Sequence, residues 1–187
     1  MEPRQLLEII TVAERLKNVT RHCYTSSGRH ESVAEHSWMT TLMAFFLRHE
    51  FPEADMDKVI RMCIIHDLGE CFTGDIPAFN KDAGHEHLEA KLLDEWVSTL
   101  PASYANEMRQ LYAEMNERQT IEAKIYKAID NLEAVIQHNL SDIATWIPLE
   151  YELNLTYGDD KVAFSDYLTA LREEIRSDTR KKIQNKG

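Results

Sequence analysis

The chain is poor in the residues that break or staple a fold. Its 187 residues include three cysteines, six glycines and five prolines. Cys23, Cys63 and Cys71 are an odd number with no CxxC pair, which argues against a disulfide framework and against a cysteine-rich zinc site. They read as buried or idle thiols in a reducing compartment. Glycine and proline are too sparse for a linker, and no repeat or low-complexity tract interrupts the pattern. Basic residues are outnumbered, 21 against 32 acidic, for a formal net charge of −11. That disfavours a broad nucleic-acid or anionic-membrane surface, but leaves room for a small anionic substrate beside a buried cation. No apolar run approaches a membrane span, and Met1 to Leu16 carries charges throughout, unlike a signal peptide. The expectation is a cytoplasmic protein in which residues 1–187 form one domain. At 43% hydrophobic residues the chain buries a core without a structural metal.

Apolar residues recur at helical spacing almost everywhere. Leu6, Leu7, Ile9, Ile10, Ala13 and Leu16 make a first helix, and a loop with Arg21, Ser26, Ser27 and Gly28 follows. Ser32-Val33-Ala34-Glu35 is a capping box, so a helix starts there and runs through Trp38, Leu42, Phe45 and Phe46 to a break at Pro52. Further helices are expected over Met56 to His66, His85 to Leu100, Tyr104 to Met115, Ile121 to Leu140 and Val162 to Ile183. Leu68 to Lys81 holds Gly69, Gly74 and Pro77 and reads as a loop or short turns. Pro148 and Gly158 mark a less regular stretch. No segment alternates with period two for long, so no sheet is expected. The class is all-α, a bundle of about seven helices. Trp38, Trp96 and Trp146 fall where packing accounts for them, and the methionines fill gaps.

Polar residues break this pattern where it should be most apolar. His66-Asp67 ends the run Ile64-Ile65, and Asp130 sits beside the stripe Ile125, Ile129, Leu132 and Ile136. An ionised aspartate buried there needs a partner or a cation. His36 lies one turn into its helix. Three helices can thus present His36, His66 with Asp67, and Asp130 to one point. Two imidazoles and two carboxylates suit one divalent transition metal ion: cobalt, manganese, zinc, nickel or iron. Any one of these residues taken singly is more often a core histidine or a solvated carboxylate.

The order His36, His66-Asp67, Asp130 resembles the HD-domain metal-dependent phosphohydrolase superfamily. The surrounding segments resemble its 5′-deoxynucleotidases: Glu31-Ser32-Val33-Ala34-Glu35-His36-Ser37, His66-Asp67-Leu68-Gly69-Glu70, Thr73-Gly74-Asp75-Ile76-Pro77 with Lys81, and Ala128-Ile129-Asp130-Asn131-Leu132-Glu133. The likeness runs from about Arg15 to Gln137. It implies an HD-type helical bundle with metal ligands His36, His66, Asp67 and Asp130. It implies hydrolysis of (deoxy)nucleoside 5′-monophosphates to nucleoside and phosphate. Glu70 is then a base or water-positioning group, Asp75 an acid or sugar contact, and Arg21 and Lys81 contact the substrate. The family tends toward homodimers. Arg29 has no such parallel and reads as a surface charge. One departure concerns the sugar: the pattern has Trp after the arginine, and this chain has His22. That bears on the deoxyribose preference rather than on the phosphatase chemistry. Glu114, Glu117 and Thr120-Ile121-Glu122-Ala123 resemble a sister branch of uncharacterised HD-domain hydrolases, where they either contact substrate or pack. His85 and His87 tempt a two-metal reading, but residues two apart on a helix diverge, and His138 stands alone later, so one metal is expected. The competing functions are an HD-type phosphodiesterase or alarmone hydrolase and a non-catalytic nucleotide-binding HD module. Glu70 and Asp75 favour an enzyme, since a binder needs no water-activating carboxylates.

Overall fold

The computed structural model describes residues 1–77, 79–80 and 82–185. Lys81 therefore lies outside the described residues. In chain order the elements are α1 (Pro3–Ala13), β1 (Thr20–Tyr24), β2 (His30–Ser32), α2 (Val33–Phe46), α3 (Met56–Ile65), α4 (Glu70–Thr73), α5 (Ala83–Val97), α6 (Ala102–Glu117), α7 (Ile121–Leu140), α8 (Glu150–Thr156), α9 (Asp159–Val162) and α10 (Asp166–Gln184). Helices dominate, as the apolar periodicity requires.

The longest helix, α7, is the axis of the core. Ala123, Ile125, Ala128, Ile129, Leu132 and Val135 on it are at most 1% exposed. They meet α2, α3, α6 and α10, so α7 is covered on several sides. Val59, Met62 and Cys63 of α3, all fully buried, complete the layer against which α7 rests. Truncating a buried Ile or Leu here to Ala costs about 2–5 kcal/mol by lost transfer energy plus the cavity left behind.

Local capping sets where each site-bearing helix begins. At α2 the Ser32 hydroxyl accepts from the Glu35 amide at 3.3 Å, and the Glu35 carboxylate accepts from the Ser32 amide at 2.9 Å. This reciprocal cap fixes the first turn and buries His36 one residue beyond Glu35, at 1% exposure. Arg29 closes on the same carboxylate, with Nη1 2.8 Å from Glu35 Oε2. The Arg29 hydrogen bond, followed by the cap bonds from Ser32, holds the Glu35 carboxyl at about 2 against an ordinary 4.5. The folded-state value is depressed, so the pair stabilises the fold above pH 4.5 and fades as pH falls toward 2. Arg29→Met is expected to lower the melting midpoint by about 1–3 °C at pH 7. Thermal unfolding of both proteins across pH should show the gap closing between about pH 4.5 and 2; a gap that persists at pH 2 contradicts the pairing.

Three features differ from the sequence expectation, the hairpin, the start of the last helix and Trp38, while the Leu68–Lys81 segment holds the short turns expected of it. Residues 20–32 form a hairpin, with Thr20 opposite Ser32 and Tyr24 opposite His30. Gly28, at φ +84°, makes its turn. The strands are five and three residues long, and the inward positions of Arg21 and Glu31 are charged, so no apolar alternation betrays them. Within the Leu68–Lys81 segment, α4 is a single helical turn closed by Gly74 at φ +78°, a backbone state L-residues avoid. The last helix starts at Asp166 rather than at Val162, because Ser165 caps it and Asp159–Val162 is a separate turn. Trp38, assigned to packing, is 60% exposed; Trp146 is buried.

Candidate active site

Three helix segments converge on one point. His36 comes from the first turn of α2, His66 and Asp67 from the end of α3, and Asp130 from the middle of α7. His36 Nε2 lies 3.1 Å from Asp130 Oδ1 and 3.8 Å from Asp67 Oδ2. His66 Nε2 lies 3.0 Å from Asp67 Oδ2 and 3.8 Å from Asp130 Oδ1. Each aspartate thus faces both imidazoles. One potential ligand atom from each of His36, His66 and Asp67 falls within a span of 4.8 Å.

The ring orientations are set from behind. His66 Nδ1 is 2.8 Å from the Cys63 carbonyl, so that nitrogen carries the proton and Nε2 points its lone pair inward. His66 Nε2 is buried and has no hydrogen-bond partner among the described residues. His36 Nδ1 meets Glu133 Oε2 at 2.5 Å, which likewise commits Nε2 to the centre. An orphaned, buried imidazole nitrogen beside two carboxylates is what a divalent cation would complete, and the donor set fits one. Glu133→Gln is expected to weaken metal binding about tenfold by removing the carboxylate that fixes the His36 ring. Competitive titration with a chromophoric chelator measures it, and an unchanged affinity would show that Glu133 does not act through His36.

The electrostatics ask for positive charge. Burial and the Arg21 guanidinium push the His36 imidazole down, yet Glu133 and Asp130 more than offset them and raise it to about 9. Burial raises the Asp67 carboxyl, and the facing imidazoles of His66 and His36 overcome it, leaving it at about 2. Asp130 is held well below its ordinary value against burial by Lys127 and both histidines, with Lys127 Nζ 2.6 Å from Oδ2. Glu70 behaves in the opposite way. Burial first, then the charges of Asp67, Asp75 and Glu89, raise its carboxyl to about 10. It is 6% exposed, and Oε2 has no hydrogen-bond partner among the described residues.

A cavity of about 310 Å³ opens directly over these groups. Arg21, Lys127, Glu70 and Asp75 line it together with His36, Asp67 and Asp130. Arg21 and Cys23 share the inward face of β1, at the two-residue spacing of a strand. The Arg21 guanidinium stands between Glu31 (3.7 Å) and Glu133 (3.8 Å), and its Nη1 is buried without a hydrogen-bond partner among the described residues. Gly74 turns the chain so that Asp75, the next residue, reaches the cavity wall. Seven of the eight sequence-nominated residues are therefore gathered here, and the eighth is Lys81. Arg29 is spent on Glu35 at the surface.

Three further groups belong to the same neighbourhood. Lys127 and Glu133 flank Asp130 at three-residue intervals on α7, a spacing that puts all three on one helix face and is readable in the sequence. Glu31 faces them from β2, and only the hairpin brings it there. The other nominated clusters resolve as structure. Glu114 and Glu122 clamp Lys58 at 2.8 and 3.4 Å, and Thr120 caps α7. His85 lies against Asp82 at the start of α5, and His87 is exposed.

Comparison with known proteins supplies independent context. The sequence model of the HD domain family matches residues 13–172. The 5′-deoxynucleotidase HDDC2 of Homo sapiens is 30% identical over 138 residues, which span 72% of this chain and 67% of that protein. A solved structure from Magnetospirillum magnetotacticum MS-1, described as a predicted metal-dependent phosphohydrolase, superposes with a TM-score of 0.79 at 27% identity, covering 95% of this chain and 92% of the other. The cyanophage S-2L HD phosphohydrolase DatZ, bound to dA and one catalytic zinc ion, shares the fold at a TM-score of 0.59 and 18% identity, over 94% of this chain and 96% of that one.

Proposed function

Because the chain belongs to the HD domain family, we propose that it is a metal-dependent phosphohydrolase acting on nucleoside 5′-monophosphates, deoxynucleotides foremost, with residues 1–187 working as one domain. The observation that carries this reading is the convergence of His36, His66, Asp67 and Asp130 beneath the cavity, with His66 Nε2 buried and lacking a hydrogen-bond partner among the described residues. The human and other eukaryotic relatives named 5′-deoxynucleotidase support the substrate class.

A divalent cation held by the four residues would acidify a water and neutralise phosphate charge. The borderline donors suit zinc, manganese, cobalt, nickel or iron, and zinc is the ion in the cyanophage protein. The chain's own groups do the rest. Arg21 presents its guanidinium to a phosphate oxygen, where the fork matches the geometry. Lys127 adds a second positive charge on the Asp130 side and, like Lys81, belongs to the substrate-contacting set. Glu70 orients the attacking water and, once a bound cation offsets the Asp67 and Asp75 charges that raise its carboxyl, takes the water's proton, and Asp75 delivers a proton to the departing sugar oxygen or holds the sugar hydroxyl. His22, in place of tryptophan, opens the sugar-facing wall and loosens the deoxyribose preference.

The test is phosphate release from a panel of ribo- and deoxynucleoside monophosphates, a diester and a pyrophosphate, with and without added manganese or cobalt. Release from monoesters alone supports the proposal. A second depression of about 790 Å³, lined by Arg109, Arg118 and His66 and sharing Asp67, Lys127 and Asp130 with the first, favours the diesterase as second reading, and turnover of the diester alone would establish it. Binding without turnover would mean a non-catalytic module.

The reading extends to a cytoplasmic homodimer. No helix among the described residues is long and apolar enough to cross a membrane. Helix α1 buries none of its residues, and Leu6, Leu7 and Ile10 are exposed together with Trp38 and Ile64. Analytical ultracentrifugation decides between one copy and two.

A further inference from the structure

The cavity is chemically two-ended. Near the metal ligands it is lined by charge. Its other walls carry Ile76, Phe79, Ala134, Val135 and Leu153, a setting for a flat, largely apolar group. One polar side chain stands out there. Asn154 lines the cavity and is 2% exposed, yet its Nδ2 has no hydrogen-bond partner among the described residues. A buried amide donor left unpaired is costly, and such groups persist where a ligand supplies the acceptor.

Asn154 is also held in place. It sits near the end of α8, whose last carbonyls are gripped by the buried Arg172: Nη2 donates to Asn154 O at 3.0 Å and Nε to Tyr157 O at 3.0 Å. One turn earlier on the same helix, Glu150 accepts from the Ile147 amide at 2.8 Å and lies 2.9 Å from His22 Nε2 and 3.4 Å from His138 Nε2. His22 in turn packs edge-on against Phe79, with ring centroids 5.6 Å apart. The wall around Asn154 is therefore built from α8, α7 and β1, each anchored, and its donor is preorganised rather than adventitious.

We propose that Asn154 reads the nucleobase, donating from Nδ2 to a carbonyl oxygen of the base while the His22–Phe79 pair walls the ring. The assignment rests on the nucleotide reading above and adds to it a specificity: carbonyl-bearing bases such as thymine are favoured over adenine, which has no carbonyl.

The manganese-loaded protein and its Asn154→Asp variant are compared on thymidine 5′-monophosphate, deoxyadenosine 5′-monophosphate and 2-deoxyribose 5-phosphate. Aspartate keeps the shape and replaces the donor by an acceptor. The ratio of kcat/KM for the thymine nucleotide to that for the adenine nucleotide should fall about tenfold in the variant. An unchanged ratio, or an equal loss on all three substrates including the baseless one, overturns the proposal. Calorimetry on the wild-type protein gives a second readout that needs no variant and no turnover: thymidine should bind more tightly than deoxyadenosine, and equal affinity overturns it. Preferential thymidine binding without phosphate release from any monoester would leave the base assignment standing and remove the phosphohydrolase reading instead.

Discussion

Asp67→Ala protein is expected to lose bound metal and phosphate release together, with turnover down at least about a thousandfold, equivalent to roughly 4 kcal/mol of transition-state stabilisation. Asp67 faces both imidazoles, at 3.0 Å from His66 Nε2 and 3.8 Å from His36 Nε2, so its removal takes away a donor and part of the field that holds the histidines in place. The fold should survive. Asp67 is partly exposed and lies beyond the end of α3, and the loss of its favourable contacts with the two imidazoles is partly offset by relief of its repulsion with Asp130 and Glu70. The measurement is elemental analysis beside melting curves with and without chelator. Chelation should lower the melting midpoint of the wild type, whose folded state alone binds the ion, and leave that of the variant unchanged. A variant that retains stoichiometric metal would show that Asp67 is not a ligand.

Glu70→Gln should separate chemistry from binding. Metal content is expected to stay at the wild-type level while kcat falls about 10²- to 10⁴-fold, the range over which a positioned proton acceptor contributes. Glu70 opens α4, three residues beyond Asp67, and its buried Oε2 is unpartnered among the described residues. Glutamine fills the same volume without the ability to take a proton, so packing is not the variable. Single-turnover rates on metal-loaded protein make the comparison, and a variant as fast as the wild type would remove Glu70 from the reaction.

The sequence carried the helices and the four converging residues for a shared reason. Helix burial follows a local period, so Ile125, Ile129 and Leu132 mark one face of α7, and a polar Asp130 beside that stripe is conspicuous without any tertiary knowledge. The Ser32–Glu35 cap is local too, and it fixes how deep His36 sits. The His66-Asp67 pair is legible because it terminates an apolar run that has no other cause to turn polar.

Other parts of the site have no local signature. The hairpin holding Arg21 and Glu31 is built from residues whose inward face is polar, so the alternation that marks a strand is missing. Glu133 shares a helix face with Asp130 by its spacing, but its hold on the His36 ring exists only once α2 brings that ring against it. Asn154 belongs to a stretch broken by Pro148 and Gly158, where periodicity gives no direction. That its Nδ2 lacks a hydrogen-bond partner among the described residues is a property of the finished packing.

What the chain determined alone was the all-helical class, the start of α2 and the polar residues that interrupt the apolar helix faces, because capping and helical periodicity act within a few residues of one another. What the tertiary structure decided was which side chains orient the two histidines, how Arg21 enters the cavity and where an unpaired donor remains. Those depend on groups far apart in the chain, His36 and Glu133 by 97 residues, and only the burial of α7 between its neighbours brings that pair within hydrogen-bonding distance.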